Sequence, residues 1–172
     1  MQQQEKIFGL LRIAMGFVFL WAFVDKLIGL GYATCRDGET GVVSIFCDKA
    51  WLMGGSPTTG FLKFGTHGPL ADVFSLLAGN VLVDWLFMLG LLGVGVGLVF
   101  GILMRLSIWS GAAMLLLMFL AAMPPKNNPF IDDHIIYALL LLTFLFMPIG
   151  EWYGFGKQWA RHDAVKKHSW LR

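Results

Sequence analysis

Apolar residues in this chain fall in long unbroken runs, not in alternation and not on one stripe. The first run, 7 to about 24, is interrupted only by Arg12. The second, 85–104, has no charge and directly follows Asp84. The third, 106–123, stops at Pro124-Pro125, a pair that cannot continue a helix. The fourth, 135 to about 150, is short and bracketed by His134 and Glu151. A helix needs about 20 mostly apolar residues to cross bilayer hydrocarbon. A membrane barrel would show short alternating segments instead. The pattern therefore predicts an all-α integral membrane protein, a bundle of four transmembrane helices.

The cations of the short flanks set the expected orientation. Lys6, Arg105, Lys157, Arg161, Lys166, Lys167 and Arg172 fall on one side, with Arg12 placed to snorkel toward it. The other side holds Arg36, Lys49, Lys63 and Lys126, diluted by six acids. The basic side is expected to be cytoplasmic, with both termini inside a cell membrane. The first run is read as a retained helix and not a cleaved signal, because Arg12 interrupts it and no small-x-small site follows.

Composition agrees with the pattern. Apolar residues are 57% of the chain and charged residues 14%, against roughly 45–50% and about 25% in soluble domains. Mean hydropathy is +0.69. Disorder is excluded, and a net charge of +2 gives no reason to expect a nucleic-acid partner. The expected organisation is one membrane domain, 1–156, and a basic cytoplasmic tail, 157–172.

One long outer loop, 29–83, joins the first two spans and contains both cysteines. Within it, residues 54–60 are turn chemistry, and 69–78 read as a short interfacial helix with Leu70, Val73, Phe74 and Leu77 on one face. Gly90, Gly93, Gly97 and Gly101 share a face of the second span, which favours close helix packing.

Ionisable residues near the spans are functional candidates because charge at membrane depth is costly. Asp25, Lys26, Asp84, Asp132, Asp133 and His134 all fall at the outer ends of their helices. Lys26 could meet an oxyanion, and His134 beside an acid could shuttle protons. Each has a plainer reading too: Asp132 as a helix cap, Asp25 with Lys26 as an interfacial pair, Arg12 and Arg105 as snorkelling cations. Cys35 and Cys47, on one outer loop, are expected to form a disulfide; a redox pair or a persulfide-forming thiol is the alternative. No span carries a central histidine for haem, and the histidines lack metal-ligand spacing, so neither haem, flavin nor metal is expected.

Several stretches together resemble the DoxX/DoxD family. They are Leu11-Arg12-Ile13 with Gly16 and Asp25-Lys26-Leu27, then Gly55-Ser56-Pro57-Thr58-Thr59-Gly60-Phe61-Leu62, and the Gly-rich second span closing with Arg105. The most telling is Asn128-Pro129-Phe130-Ile131-Asp132-Asp133-His134 leading into Tyr137-Ala138. That family includes the large subunit of thiosulfate:quinone oxidoreductase, so the resemblance implies electron transfer from thiosulfate, or another reduced sulfur compound, to a membrane quinone. It also implies a small second subunit, and a homo-oligomer is compatible with it. On this reading Asp84, His134, Asp25 and Lys26 are the catalytic candidates. His134, Trp85 and Tyr137 would contact the quinone, with Phe87 and Phe130 near its ring, and Lys26, Arg36, Lys49 or Lys126 would receive the anion. The competing reading is a non-enzymatic membrane scaffold or partner subunit for a redox or thiol-handling protein.

Overall fold

The computed structural model describes residues 2–125, 128 and 130–171, and among these it is helical with no strand beyond one isolated bridge, Arg36 to Val43. Helix α1 spans Gln3–Ile28. The Glu5 carboxylate accepts the Gln2 N–H at 2.8 Å at its start, and Gly29 ends it in left-handed backbone. A five-residue helix, α2, spans Ala71–Ser75. Helix α3 spans Val81–Phe100, opened by Asn80, whose side chain accepts from Leu82 and Val83, and closed by Gly101 at φ 70°. It thus begins at Val81 and not at 85, which puts Asp84 inside its first turn. Helix α4 spans Met104–Ala121, and α5 spans Asp133–Thr143 under an Asp132 cap. Two short helices follow, α6 Gly156–Trp159 and α7 Asp163–Lys167.

Three helices, α1, α3 and α4, are long and apolar enough to cross a membrane. The fourth apolar stretch runs as α5 and a single 3-10 turn, Phe144–Phe146. At the usual helical rises it reaches about 22 Å, against roughly 30 Å of hydrocarbon. It ends there because Met147 precedes Pro148 and takes extended backbone.

The helices pack in the order α1, α3, α4, α5. Met15 and Phe19 of α1, Leu91 and Val94 of α3, Ile108 and Ala112 of α4, and Leu141 of α5 share one core. Helices α1 and α3 approach through Gly16 and Gly95. A Cβ on Gly16 would stand 2.8 Å from the Val99 nitrogen, and one on Gly95 2.9 Å from the Leu20 nitrogen. The predicted glycine face does not act as a unit. Gly93 looks into open space, Gly90 faces Met114 of α4, and Gly101 meets Gly150. The close α1–α3 approach falls instead to Gly95, between two of the stripe's positions.

The bundle has two distinct ends. At one, the loop end, residues 29–80 fold over the helices and the Cys35–Cys47 disulfide closes part of that cover. At the other, the tail end, α6 and α7 fold back beside the bundle, Val165 is buried, and residues 169–171 pack on α4. Arg12 belongs to this tail end but does not snorkel. Its side chain is fully buried, and its guanidinium donates to the carbonyls of Leu98, Val99, Trp152 and Tyr153.

Candidate functional site

The loop cover is suspended from two buried carboxylates. Asp25, in the last turn of α1, accepts the N–H groups of Tyr32 at 3.0 Å and Ala33 at 2.9 Å. Asp84, in the first turn of α3, accepts the Ser56 hydroxyl at 2.9 Å together with the Thr58 N–H and hydroxyl. The Ser56 oxygen in turn accepts from the Thr59 N–H and hydroxyl. Burying a carboxylate without donors would cost several kcal/mol, whereas a set of donors converts it into a fixed anchor. Both acids thus hold backbone that passes over the helix ends, and neither lines the cavity that the cover encloses.

That cavity measures about 710 Å³, inside the range of roughly 300–1,000 Å³ typical of small-molecule sites. Lys26 of α1, Phe87 of α3, Met118 of α4 and His134 of α5 bring one wall each from the helices. The loops add Asp48, Lys49, Ser56, Thr59, Phe61 and Phe64. Phe87, Met118 and His134, which follow Lys26 by 61, 92 and 108 positions, meet it here only because the four helices present the same end.

Lys26 is the group that most needs explanation. It is half-buried, its Nζ stands 5.9 Å from the centroid of the Phe87 ring, and no carboxylate pairs with it among the described residues. Asp25, its neighbour in sequence, is turned to the loop. An ammonium held over an aromatic face retains some stabilisation there, while its three donors remain open to a ligand.

His134 borders the same cavity with a fixed ring. Asp132 accepts the His134 and Ile135 N–H groups through Oδ1 and holds His134 Nδ1 at 2.6 Å through Oδ2. One carboxylate is therefore both helix cap and imidazole support, so the two readings of Asp132 merge. Partial burial alone would raise its pKa, but the hydrogen bonds from the His134 side chain and the two N–H groups prevail and hold it below the ordinary value. With Nδ1 engaged, Nε2 is the ring atom left for the cavity, and it has no partner among the described residues.

The remaining candidates lie elsewhere. Trp85 is half exposed and packs edge-on against Trp51, with ring centroids 4.7 Å apart. Tyr137 is partly exposed on α5, and Phe130 stands largely free; neither lines the cavity. Arg36 donates through Nε to the Gly31 carbonyl at 2.6 Å, and of the anion-binding candidates among the described residues only Lys26 and Lys49 border the cavity. Lys126 lies outside the described residues, as do Pro129 of the resemblance motif and Arg172 of the basic tail. Cys35 and Cys47 are joined, with Cα atoms 5.7 Å apart. No cluster of His, Cys, Asp and Glu capable of holding a metal occurs among the described residues.

The sequence reading named Ser56 and Thr59 only within the resemblance motif at 55–62, with no role at a site, and did not single out Phe64 or Met118. The turn chemistry at 54–60 marked a loop but not what it covers. Comparison of the chain with protein families, with characterised proteins and with solved structures gives no match. Function therefore has to be argued from the cavity.

Proposed function

We propose that this chain is the membrane-embedded, quinone-binding subunit of an oxidoreductase, of the DoxX/DoxD type, that takes electrons from thiosulfate or another reduced sulfur compound. The observation that carries the reading is that Lys26 and His134 line one cavity, each with a side-chain nitrogen free for a ligand: Lys26 Nζ donates, and His134 Nε2 donates when the ring is doubly protonated. Their chemistry suits the two carbonyls of a quinone. Phe87 and Phe61 supply flat apolar walls. When bound, a quinone is the acceptor of two electrons and two protons, while two thiosulfates yield one tetrathionate and two electrons.

The protein's own contribution is positional and acid–base. Lys26 donates hydrogen bonds into the cavity and supplies positive charge where an anionic or electron-rich oxygen would sit. His134, held by Asp132, gives a proton through Nε2 and regains one from the watery side, where Asp48 and Lys49 are exposed. Lys26 and Lys49 together make the cavity rim attractive to a dianion.

The proposal extends to topology. The α5 stretch serves as a short fourth span, the loop end faces outward, and the tail end faces the cytoplasm of a cell membrane. The support is charge: Lys6, Arg105, Lys157, Arg161, Lys166 and Lys167 all lie at the tail end. One observation favours a second reading, a non-enzymatic scaffold or partner subunit. Asp25, Asp84 and both cysteines are engaged in holding the loop, so the sulfur chemistry would belong to a second subunit docked on the loop end.

The test is reduction of a short-chain ubiquinone or menaquinone analogue by the purified protein, with and without thiosulfate. Lys26→Gln and His134→Gln are each expected to lower a thiosulfate-dependent rate by about 10²-fold or more. No reduction by a folded protein that still binds the quinone would shift the assignment to the partner-subunit reading. No reduction and no quinone binding would remove the quinone altogether.

A further inference from the structure

A second, smaller cavity of about 260 Å³ lies against the first, between α3, α4 and the α2 segment. Four residues, Pro57, Phe61, Phe87 and Met118, line both. The two differ in chemistry. The larger carries Lys26, Lys49 and His134, whereas the smaller is walled by Phe74, Leu77, Leu86, Met114, Leu117 and Ala121. Its single hydroxyl, on Thr58, is turned to Asp84. Leu86 is 63% exposed and Leu117 55%, so the smaller cavity's rim lies on the outer faces of α3 and α4, where lipid would be.

We infer that this cleft receives the isoprenoid tail of the quinone, and that the molecule enters sideways between α3 and α4 with its head passing Phe61 and Met118 into the cavity of Lys26 and His134. This rests on the quinone reading. A hydrocarbon chain attached to a polar ring needs an apolar groove next to a polar pocket; the two cavities are such neighbours, with Pro57, Phe61, Phe87 and Met118 as their common wall, whose side chains the ring has to displace to pass. A chain with an uncharged head would need the groove but not the cationic pocket beside it. The substrate class narrows to prenylated quinones in preference to tail-less ones, with Leu117 and Leu86 setting the preference.

The experiment measures equilibrium binding to the full-length protein in lipid nanodiscs, with empty discs subtracted. The probes are a tail-less dimethoxy-methyl-benzoquinone and its two-isoprenoid homologue. With affinities expressed per lipid, so that partition of the tail into the bilayer cancels, the wild type is expected to bind the tailed probe at least about tenfold more tightly. Leu117→Trp, and independently Leu86→Trp, should abolish that ratio while leaving tail-less binding unchanged; unchanged tail-less binding also shows that each variant is folded. Equal wild-type affinity for both probes, or variants that leave the ratio intact, would overturn the tail site while keeping the quinone reading. Displacement of the tailed probe by added phospholipid, with the tail-less probe unaffected, would reassign the cleft to an acyl chain. Failure to bind either probe would remove both proposals.

Discussion

Arg12 shows how far a single residue can depart from its expected behaviour. A lone cation near the end of an apolar run reads as one that reaches for the interface, but here the last residues of the bundle close over it. Its guanidinium is met by four carbonyls, two at the C-terminal end of α3, where the helix dipole is negative, and two in the turn at 152–153. Arg12→Met would leave those carbonyls facing hydrocarbon and is expected to cost on the order of 3 kcal/mol or more. Arg12→Lys keeps the charge but not the forked geometry and should fall between the two. Denaturant unfolding in detergent should rank wild type above Arg12→Lys above Arg12→Met; equal stability for the last two would show that the forked geometry, not the charge, matters. Asp25 and Asp84 were recognisable as residues that had to be explained, yet nothing local to them revealed their partners. Those partners lie in a loop 7 to 28 residues away whose path the sequence does not specify.

Among the elements, legibility follows how local the determining physics is. The apolar runs located the cores of α1, α3, α4 and α5, because apolar character on every face is written residue by residue. Their ends moved when a cap decided them: Asn80 starts α3 early, and Pro148 stops the α5 stretch short. Glycine roles were less readable, since a face at helical spacing does not say which neighbour it meets. Gly95→Ala is expected to destabilise by about 1–3 kcal/mol, because the added methyl would meet the Leu20 side chain and also the Leu20 backbone nitrogen, which cannot yield. Gly93→Ala, with open space around it, should be neutral or stabilising by up to about 1 kcal/mol. Thermal unfolding of the two variants should move in these different directions. The start of α5 depends on pH with a definite sign. Asp132 has a depressed pKa when folded, so its support is complete above the ordinary value of 3.8 and is lost as pH falls through the lower folded value. Hydrogen exchange at the His134 and Ile135 amides, corrected for intrinsic rates, should therefore accelerate on acidification below about pH 4. In Asp132→Ala the exchange should already be fast at neutral pH, at a cost of about 0.5–2 kcal/mol.

At the scale of the whole molecule, the sequence conveyed an all-helical chain with helices fit for a membrane, and it conveyed which end gathers unusual residues. It did not convey the cavity. Lys26 and His134 are separated by most of the chain, and only the shared direction of the helix ends brings them to one space. The loop end and the helices should also respond separately to reduction. Opening the Cys35–Cys47 link removes a constraint worth about 3 kcal/mol for a loop of this size. Reductant is expected to raise hydrogen exchange over residues 31–50 while the amides of α3 and α4 stay protected; loss of protection throughout would mean that the loop is integral to bundle stability. The buried arginine has a consequence for how the protein is made. Arg12 leaves the ribosome within the first helix, but two of its four acceptors, Trp152 and Tyr153, are synthesised 140 and 141 residues later. Until then its charge must be sheltered by water, lipid headgroups or the insertion machinery, so the first helix cannot take its final depth during early synthesis. The fold is locked from the far end of the chain, and a product truncated before residue 152 would carry in its oldest helix a cation with only the two α3 carbonyls of its four acceptors.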